Sequence, residues 1–254
     1  MKVYIYQGLG NSFLIGEFEE NTDLSNITKM YCSKYHLDGL INYQKENNKM
    51  QIYNQDGSKA LMCGNGIRCL ANYLYQKYQC EKVFSINTDA GIKNIEITSL
   101  IPFCCKVNLG RPHLIKELNQ IKKIKIENED IFFNSLFLST FQILILVDNV
   151  NDFKIDSIAK KIYLHPLFKE KCNITFFEIV DYKTIKTRTY ERGVGFSLSC
   201  ATGASSAAYI GYLLYRLSKK ITVIQPLGQL YVTIDNQIYL EGVSSFEKEV
   251  EIDV

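Results

Sequence analysis

Two cysteines stand in segments of the same design. Asn54-Gln-Asp-Gly-Ser-Lys-Ala-Leu-Met-Cys63-Gly-Asn-Gly-Ile-Arg68 and Glu191-Arg-Gly-Val-Gly-Phe-Ser-Leu-Ser-Cys200-Ala-Thr-Gly203 each deliver one thiol into a turn of small residues. A helical stretch follows each turn, Ile67 to Tyr78 and Ala204 to Leu217. A thiol at a helix N-terminus meets unpaired backbone N–H groups and the positive end of the helix dipole. Both stabilise a thiolate and lower its pKa from about 8.5 in free cysteine. Two such thiols predict a two-base device, one sulfur taking a proton and the other giving one.

The two segments align as copies. Pairing Cys63 with Cys200 also pairs Gly66 with Gly203, Ala71 with Ala208 and Tyr75 with Tyr212, in the same order of loop, cysteine, glycine and helix. A duplicated unit follows. If two similar halves face each other, two helix N-termini converge on one small ligand, and a carboxylate fits between them because terminal N–H groups bind anions. Gly64, Gly66 and Gly203 are expected to leave that ligand room to approach.

At this point the motifs resemble those of the diaminopimelate epimerase family, pyridoxal-independent enzymes whose paired cysteines invert an α-carbon. Gly8-Leu-Gly-Asn11-Ser-Phe13 resembles the family's N-terminal signature, and Asn54 with Asp56-Gly57-Ser58 the segment before its first catalytic cysteine. Asn173 in Lys-Cys-Asn-Ile-Thr-Phe-Phe and the triplet Glu191-Arg192-Gly193 extend the similarity nearly end to end. The resemblance implies Cys63 and Cys200 as the acid/base pair and no cofactor. It implies Asn11, Asn54, Gly64, Asn65, Asn173, Glu191, Arg192, Ala201 and Thr202 around the substrate. Arg192 suits a distal substrate carboxylate, which its planar guanidinium can grip with two hydrogen bonds. Arg68, one turn into the first helix, is expected to brace the loops.

The chain also departs from the family. Ser139-Thr-Phe-Gln142 stands where the family usually carries an Asn and a His, so Thr140 replaces a substrate-contacting asparagine and Gln142 an active-site histidine. Ser12 stands where aspartate is favoured and Ala201 where glycine is. The leading expectation is conversion of LL-diaminopimelate to the meso form, for lysine and cell-wall synthesis. Thr140 and Gln142 support an alternative, a related cofactor-independent racemase for another amino acid. A third reading is a binding protein that keeps the cleft with little turnover. Without pyridoxal phosphate the carbanion must be stabilised by helix dipoles and N–H groups around the carboxylate.

Composition agrees with an ordinary cytoplasmic enzyme, and the resemblance implies a small amino-acid substrate. The 254 residues are 46% hydrophobic, enough for a core, and 29 basic residues against 27 acidic ones leave no footprint of a nucleic-acid binder. Lys122 to Lys125 reads as a solvated patch diluted by Glu127, Glu129 and Asp130. Met1-Lys-Val-Tyr-Ile-Tyr lacks the apolar core of a signal peptide, and no apolar run is long enough for a bilayer. No membrane partner is expected; a homodimer is compatible with the sequence. The 8 cysteines show no Cys-x2-Cys and the 3 histidines are far apart, so no metal site is expected. Cys69, Cys104 and Cys105 read as small buried hydrophobes.

Short strands are predicted at Val3–Tyr6, Phe13–Ile15, Gly39–Tyr43, Lys49–Tyr53, Lys82–Ile86, Ile95–Thr98 and Cys104–Leu109, with a helix over Asp23–Tyr35. A second series follows around the second cysteine helix, with a connecting helix at Asp156–Ile162 and one buried strand over Leu136–Val147. Helices sandwiched by antiparallel strands in each half predict an α+β protein. The resemblance implies two pseudo-symmetric lobes, each a mostly antiparallel sheet around a central helix, with the active site in the cleft between. Gly110-Arg-Pro-His113 marks the boundary. The expected division is residues 1–110 and 111–242, a C-terminal strand at about 243–254 returning to the first lobe.

Overall fold

The computed structural model describes residues 1–115, 122–168, 172–191 and 194–254. The chain divides into two compact units, Met1–Asn108 with Glu241–Val254, and Leu109–Leu240. In the first unit, β1 (Lys2–Gly8) and β2 (Asn11–Gly16) form an antiparallel hairpin. Helix α1 (Leu24–Tyr35) is started by Asp23, whose carboxylate accepts from the Asn26 N–H at 3.1 Å, and stopped by His36 in the left-handed region at φ 55°. Its Leu24, Ile27 and Tyr31 pack on Val3, Ile5, Leu14 and Leu40. β3 (Gly39–Gln44) lies parallel to β2 and antiparallel to β4 (Lys49–Asn54). The short β5 (Lys59–Ala60) leads into α2 (Gly64–Tyr78), and the antiparallel strands β6 (Val83–Thr88), β7 (Gly91–Leu100) and β8 (Phe103–Gly110) follow.

The second unit begins with β9 (His113–Leu114) and a hairpin of β10 (Lys123–Ile126) and β11 (Glu129–Phe132), where Lys123 pairs with Asp130 at 2.8 Å. The stretch expected as one strand over Leu136–Val147 is instead a hairpin. β12 (Asn134–Leu138) turns at Ser139, at φ 62°, into β13 (Thr140–Leu146). No glycine, proline or asparagine marks that turn, so the apolar residues on its two sides read as one strand. Helix α3 (Lys154–Tyr163) covers the sheet with Ile155 and Ile162 against Ile143, Ile145 and Phe176. β14 (Asn173–Asp181) runs parallel to β13 and antiparallel to β15 (Thr184–Glu191), which β16 (Gly195–Ser197) doubles back upon. After α4 (Ala201–Tyr215), β17 (Lys220–Gln225) pairs parallel with β15 and antiparallel with β18 (Gly228–Ile234). β19 (Ile238–Val243) carries the chain back to the first unit, where β20 (Ser245–Glu251) pairs antiparallel with β1.

Both units therefore follow one plan. In β1-β2-α1-β3-β4-α2-β6-β7 and in β12-β13-α3-β14-β15-α4-β17-β18 the pairings are successively antiparallel, parallel, antiparallel, parallel and antiparallel. In each a sheet wraps a central helix: α2 packs on β1, β2, β3 and β20, and α4 on β12 to β15, β17 and β18. This is the expected α+β fold. The two helices have 15 residues each, end at Tyr78 and Tyr215, and are closed by left-handed residues, Gln79 at φ 50° and Arg216 at φ 59°.

Each helix starts one turn earlier than expected, at Gly64 and Ala201, so the cysteines themselves are the N-caps. Glycine is a poor helix former, which is why Gly-Asn-Gly and Ala-Thr-Gly read as loop. Here the glycines face the sheet. A Cβ on Gly66 would sit 3.1 Å from Ile41 Cδ1 and 3.2 Å from Ile52 Cδ1, and one on Gly203 only 2.5 Å from Thr175 Oγ1 and 2.6 Å from Thr189 Oγ1. These two glycines therefore let the helix approach the strands, rather than open room for a ligand as the sequence suggested. Thr175 and Thr189 are buried and hydrogen-bonded to each other at 2.9 Å, so they have little freedom to retreat. Gly203→Ala is expected to destabilise the chain by about 1–3 kcal/mol. Gly66→Ala, meeting only flexible methyl ends, should cost clearly less. Urea unfolding of the two variants measures the difference, and equal midpoints would contradict it.

Candidate active site

Cys63 is half-buried and sits in extended backbone, φ −133° and ψ 124°, with its carbonyl accepting the first helical bond from Ile67 at 2.9 Å. Its neighbours are the first turn of α2. Asn65 Nδ2 donates to Oδ1 of Asn11, the first residue of β2. Arg68, fully buried, folds back along its own helix: Nη1 donates to Gly64 O and Nη2 to Asn65 Oδ1, each at 2.9 Å. It braces the turn that carries Gly64 and Asn65, the bracing role expected of it. Asn54 ends β4, where its amide donates to Ser58 Oγ at 3.0 Å and its N–H to Ser58 O at 2.8 Å. That turn precedes the cysteine loop. Cys69, Cys104 and Cys105 are buried, as expected of packing residues.

Cys200 has the same backbone geometry, φ −127° and ψ 106°, but only 4% of it is exposed. Two N–H donors and a hydroxyl surround its sulfur: the Gly203 N–H at 3.4 Å and Asn173 Nδ2 at 4.0 Å donate to it, and Thr202 Oγ1 lies at 3.6 Å. Its carbonyl accepts from Gln225 Nε2 at 3.2 Å, and Gln225 Oε1 accepts from Ser199 at 2.9 Å, which ties the cap to β17. Ala201 is buried in the first turn, where a bare methyl keeps the helix start tight. Glu191, at the end of β15, lies against the sulfur. Arg192 and Gly193 lie outside the described residues.

The electrostatics of Cys200 overturn one expectation. Burial pushes its thiol well above the ordinary value, and the Glu191 carboxylate pushes the same way; Thr202 and the Gly203 N–H pull it down and lose. Magnitudes explain the outcome. A helix N-terminus favours an anion by roughly 0.3–1 kcal/mol, about 2 in the best geometry, whereas withdrawing an ion from water costs several kcal/mol. Helix placement alone does not make an acidic thiol when the sulfur is sealed from solvent, so Cys200 rests as the thiol.

The structure also gathers residues absent from the expected set. Gln142 and Thr140 join Thr202: Gln142 Nε2 donates to Thr140 Oγ1 at 2.6 Å and to Thr202 Oγ1 at 3.1 Å. The two sequence departures thus stand within one hydrogen-bond chain of Cys200. The packing of α4 on β13 brings Gln142 to Thr202, and the parallel register sets Gln142 opposite Asn173. Ser199 and Gln225 carried no sequence signal. His113 is exposed on β9, paired with Phe137. Among the described residues no cluster of three or more His, Cys, Asp or Glu could hold a metal, and no helix is long and apolar enough to cross a membrane.

The fold has solved counterparts. A Bacillus anthracis phenazine biosynthesis protein of the PhzF family matches with TM-score 0.71 at 18% identity, covering 100% of this chain and 99% of that one. A hydroxyproline epimerase from Agrobacterium vitis, with bound trans-4-hydroxy-L-proline, matches with TM-score 0.72 at 11% identity, covering 99% and 90%. In sequence, the chain is 33% identical to the diaminopimelate epimerase of Halothermothrix orenii over 92% of each chain. It is 31% identical to that of Carboxydothermus hydrogenoformans over 92% of this chain and 93% of that one, and 31% identical to that of Methanococcus maripaludis over 100% of both. The family model described as diaminopimelate epimerase matches residues 3–115 and 142–246, spanning both cysteine helices: the chain belongs to the diaminopimelate epimerase family.

Proposed function

We propose that the chain inverts one α-carbon of diaminopimelate, taking the LL form to the meso form, with Cys63 and Cys200 as the paired base and acid. The observation that carries this reading is that, in a member of this family, each unit presents one cysteine as the N-cap of an equivalent helix. A two-base inversion needs one thiolate and one thiol at rest. Cys200 is the thiol, so Cys63 is the base that removes the α-proton in the direction that begins from this state. Cys200 then delivers a proton to the opposite face, and its new thiolate accepts hydrogen bonds from Gly203 N–H, Thr202 and Asn173. The sulfurs exchange roles in the reverse reaction, and their titrations are coupled.

No cofactor ring spreads the carbanion's charge in this mechanism. The first-turn N–H groups of α2 and α4 supply the stabilisation instead, aimed at the substrate carboxylate as negative charge builds on its oxygens. Asn11 and Asn65 are joined to each other near one cysteine, Asn173 and Thr202 stand beside the other, and both pairs serve the reacting end of the substrate. Glu191, Arg192 and Asn54 serve its distal amino-carboxylate end. Thr140 and Gln142, in place of an Asn and a His, favour a second reading, a racemase for another amino acid. A substrate panel followed by chiral chromatography separates the two readings.

Three outcomes test the reading. Cys63→Ala and Cys200→Ala should each lower epimerisation by at least ~10²-fold, since each removes a proton carrier, while circular dichroism stays unchanged. Turnover near wild type in either variant would rule out the two-thiol mechanism. In the Cys63→Ala chain, the pH at which Cys200 is half-reactive toward iodoacetamide should lie above the free-cysteine value of about 8.5. A midpoint below it contradicts the assignment of Cys200 as the resting thiol. Finally, Arg192→Lys keeps the charge but loses the planar fork, so the KM for diaminopimelate should rise roughly tenfold. Activity on lysine, which lacks the second carboxylate, should be indifferent to the change, and an equal effect on both substrates would sink the distal-carboxylate role.

A further inference from the structure

Gln142 is completely buried and has no part in the proton transfers described above. Its amide is used unevenly. The oxygen, Oε1, is buried without a hydrogen-bond partner, while the nitrogen makes two bonds, to Thr140 Oγ1 at 2.6 Å and Thr202 Oγ1 at 3.1 Å. An amide nitrogen carries two protons, one for each threonine, so both hydroxyl oxygens are engaged as acceptors. Thr140 Oγ1 and Thr202 Oγ1 are themselves 3.4 Å apart. Thr202 has a single hydroxyl proton. That proton has two acceptors within reach, Thr140 Oγ1 and Cys200 Sγ, 3.6 Å away; when Thr140 donates to Thr202, the sulfur is the one that remains.

We propose that Gln142 is a positioning residue for Cys200: its amide fixes the Thr140–Thr202 pair so that the Thr202 hydroxyl donates to the sulfur and favours the thiolate formed when Cys200 releases its proton. The amide is suited to this because one nitrogen supplies two protons at every pH, whereas an imidazole nitrogen supplies at most one and its ring titrates. Among the described residues, the groups facing the sulfur from the packed elements are Asn173 on β14, the Gly203 N–H and Thr202 on α4, and Glu191 on β15; of these only Glu191 is charged. Gln225 on β17 meets the Cys200 carbonyl rather than its sulfur. A shift in Cys200 ionisation on changing neutral Gln142 therefore reports the hydroxyl chain. Its role in turnover rests on the two-cysteine reading, but the ionisation of the sulfur does not.

The test is the pH dependence of Cys200 alkylation by iodoacetamide, quantified on the peptide that contains it, in the Cys63→Ala chain and in the same chain with Gln142→Met, Thr202→Val or both. Gln142→Met should raise the midpoint by about 0.5–1 pH unit, roughly a three- to tenfold loss of thiolate at fixed pH. Thr202→Val should raise it similarly, and the double variant no further, because both changes break one chain. An unchanged midpoint in Gln142→Met overturns the proposal. So does a lowered one, the result expected if the Thr202 hydroxyl pointed at the amide oxygen and were released to the sulfur. If Gln142→Met does not fold, Thr202→Val decides alone: it leaves the buried amide in place, and an unshifted midpoint refutes the donation. Diaminopimelate turnover, assayed separately in the chain with both cysteines, shows whether the proposed reaction has failed instead.

Discussion

The close approach of each cysteine helix to its sheet is the constraint on which the rest of the structure depends. Gly203 rests against the hydroxyls of Thr175 and Thr189, and Gly66 against the ends of Ile41 and Ile52, distances that allow no side chain larger than hydrogen in the first case. Because the first turn is pinned there, the residue before the helix has one place to go. It becomes the N-cap, its carbonyl committed to the helix, and in Cys200 the sulfur is also held by the terminal Gly203 N–H. The same pinning seals Cys200 from water, and that burial sets the protonation state of the thiol.

From this common plan the two units diverge in how the second residue of the helix is held. In the first unit it is Asn65, tied to Asn11 on one side and to the buried Arg68 on the other. In the second it is Thr202, tied to Gln142 and Thr140. The first arrangement puts a buried cation one turn from its cysteine; the second surrounds its cysteine with neutral donors and one carboxylate. The half-buried Cys63 and the sealed Cys200 therefore stand in unequal surroundings.

How much of this was legible in the sequence follows from where the information lies. Cys63 and Cys200 could be found because their loops repeat each other locally, and the alternating strands around them gave the α+β class. Helix starts were misplaced by one turn because Gly66 and Gly203 look like loop residues until the strands they press on are known. The Ser139 turn carries no glycine, proline or asparagine. Gln142 was visible as a departure, but its contacts link positions 140, 142 and 202, which only the packing of α4 on β13 brings together. The depressed thiol pKa expected of Cys200 failed for a related reason: local sequence fixes the helix terminus, whereas burial belongs to the whole unit.

An amide at position 142 also narrows what can govern the ionisation of Cys200. Gln142, Thr140, Thr202, Asn173 and the Gly203 N–H do not change charge over the working range, so their hold on the Cys200 sulfur is the same at every pH at which the protein is folded. Glu191 is the one described charge bearing on that sulfur, and it opposes ionisation. Any charge that neutralises Glu191 therefore eases thiolate formation at Cys200, and a bound substrate ammonium or a neighbouring guanidinium has the right sign. The ionisation of Cys200 is therefore coupled to whatever charge stands against this one carboxylate.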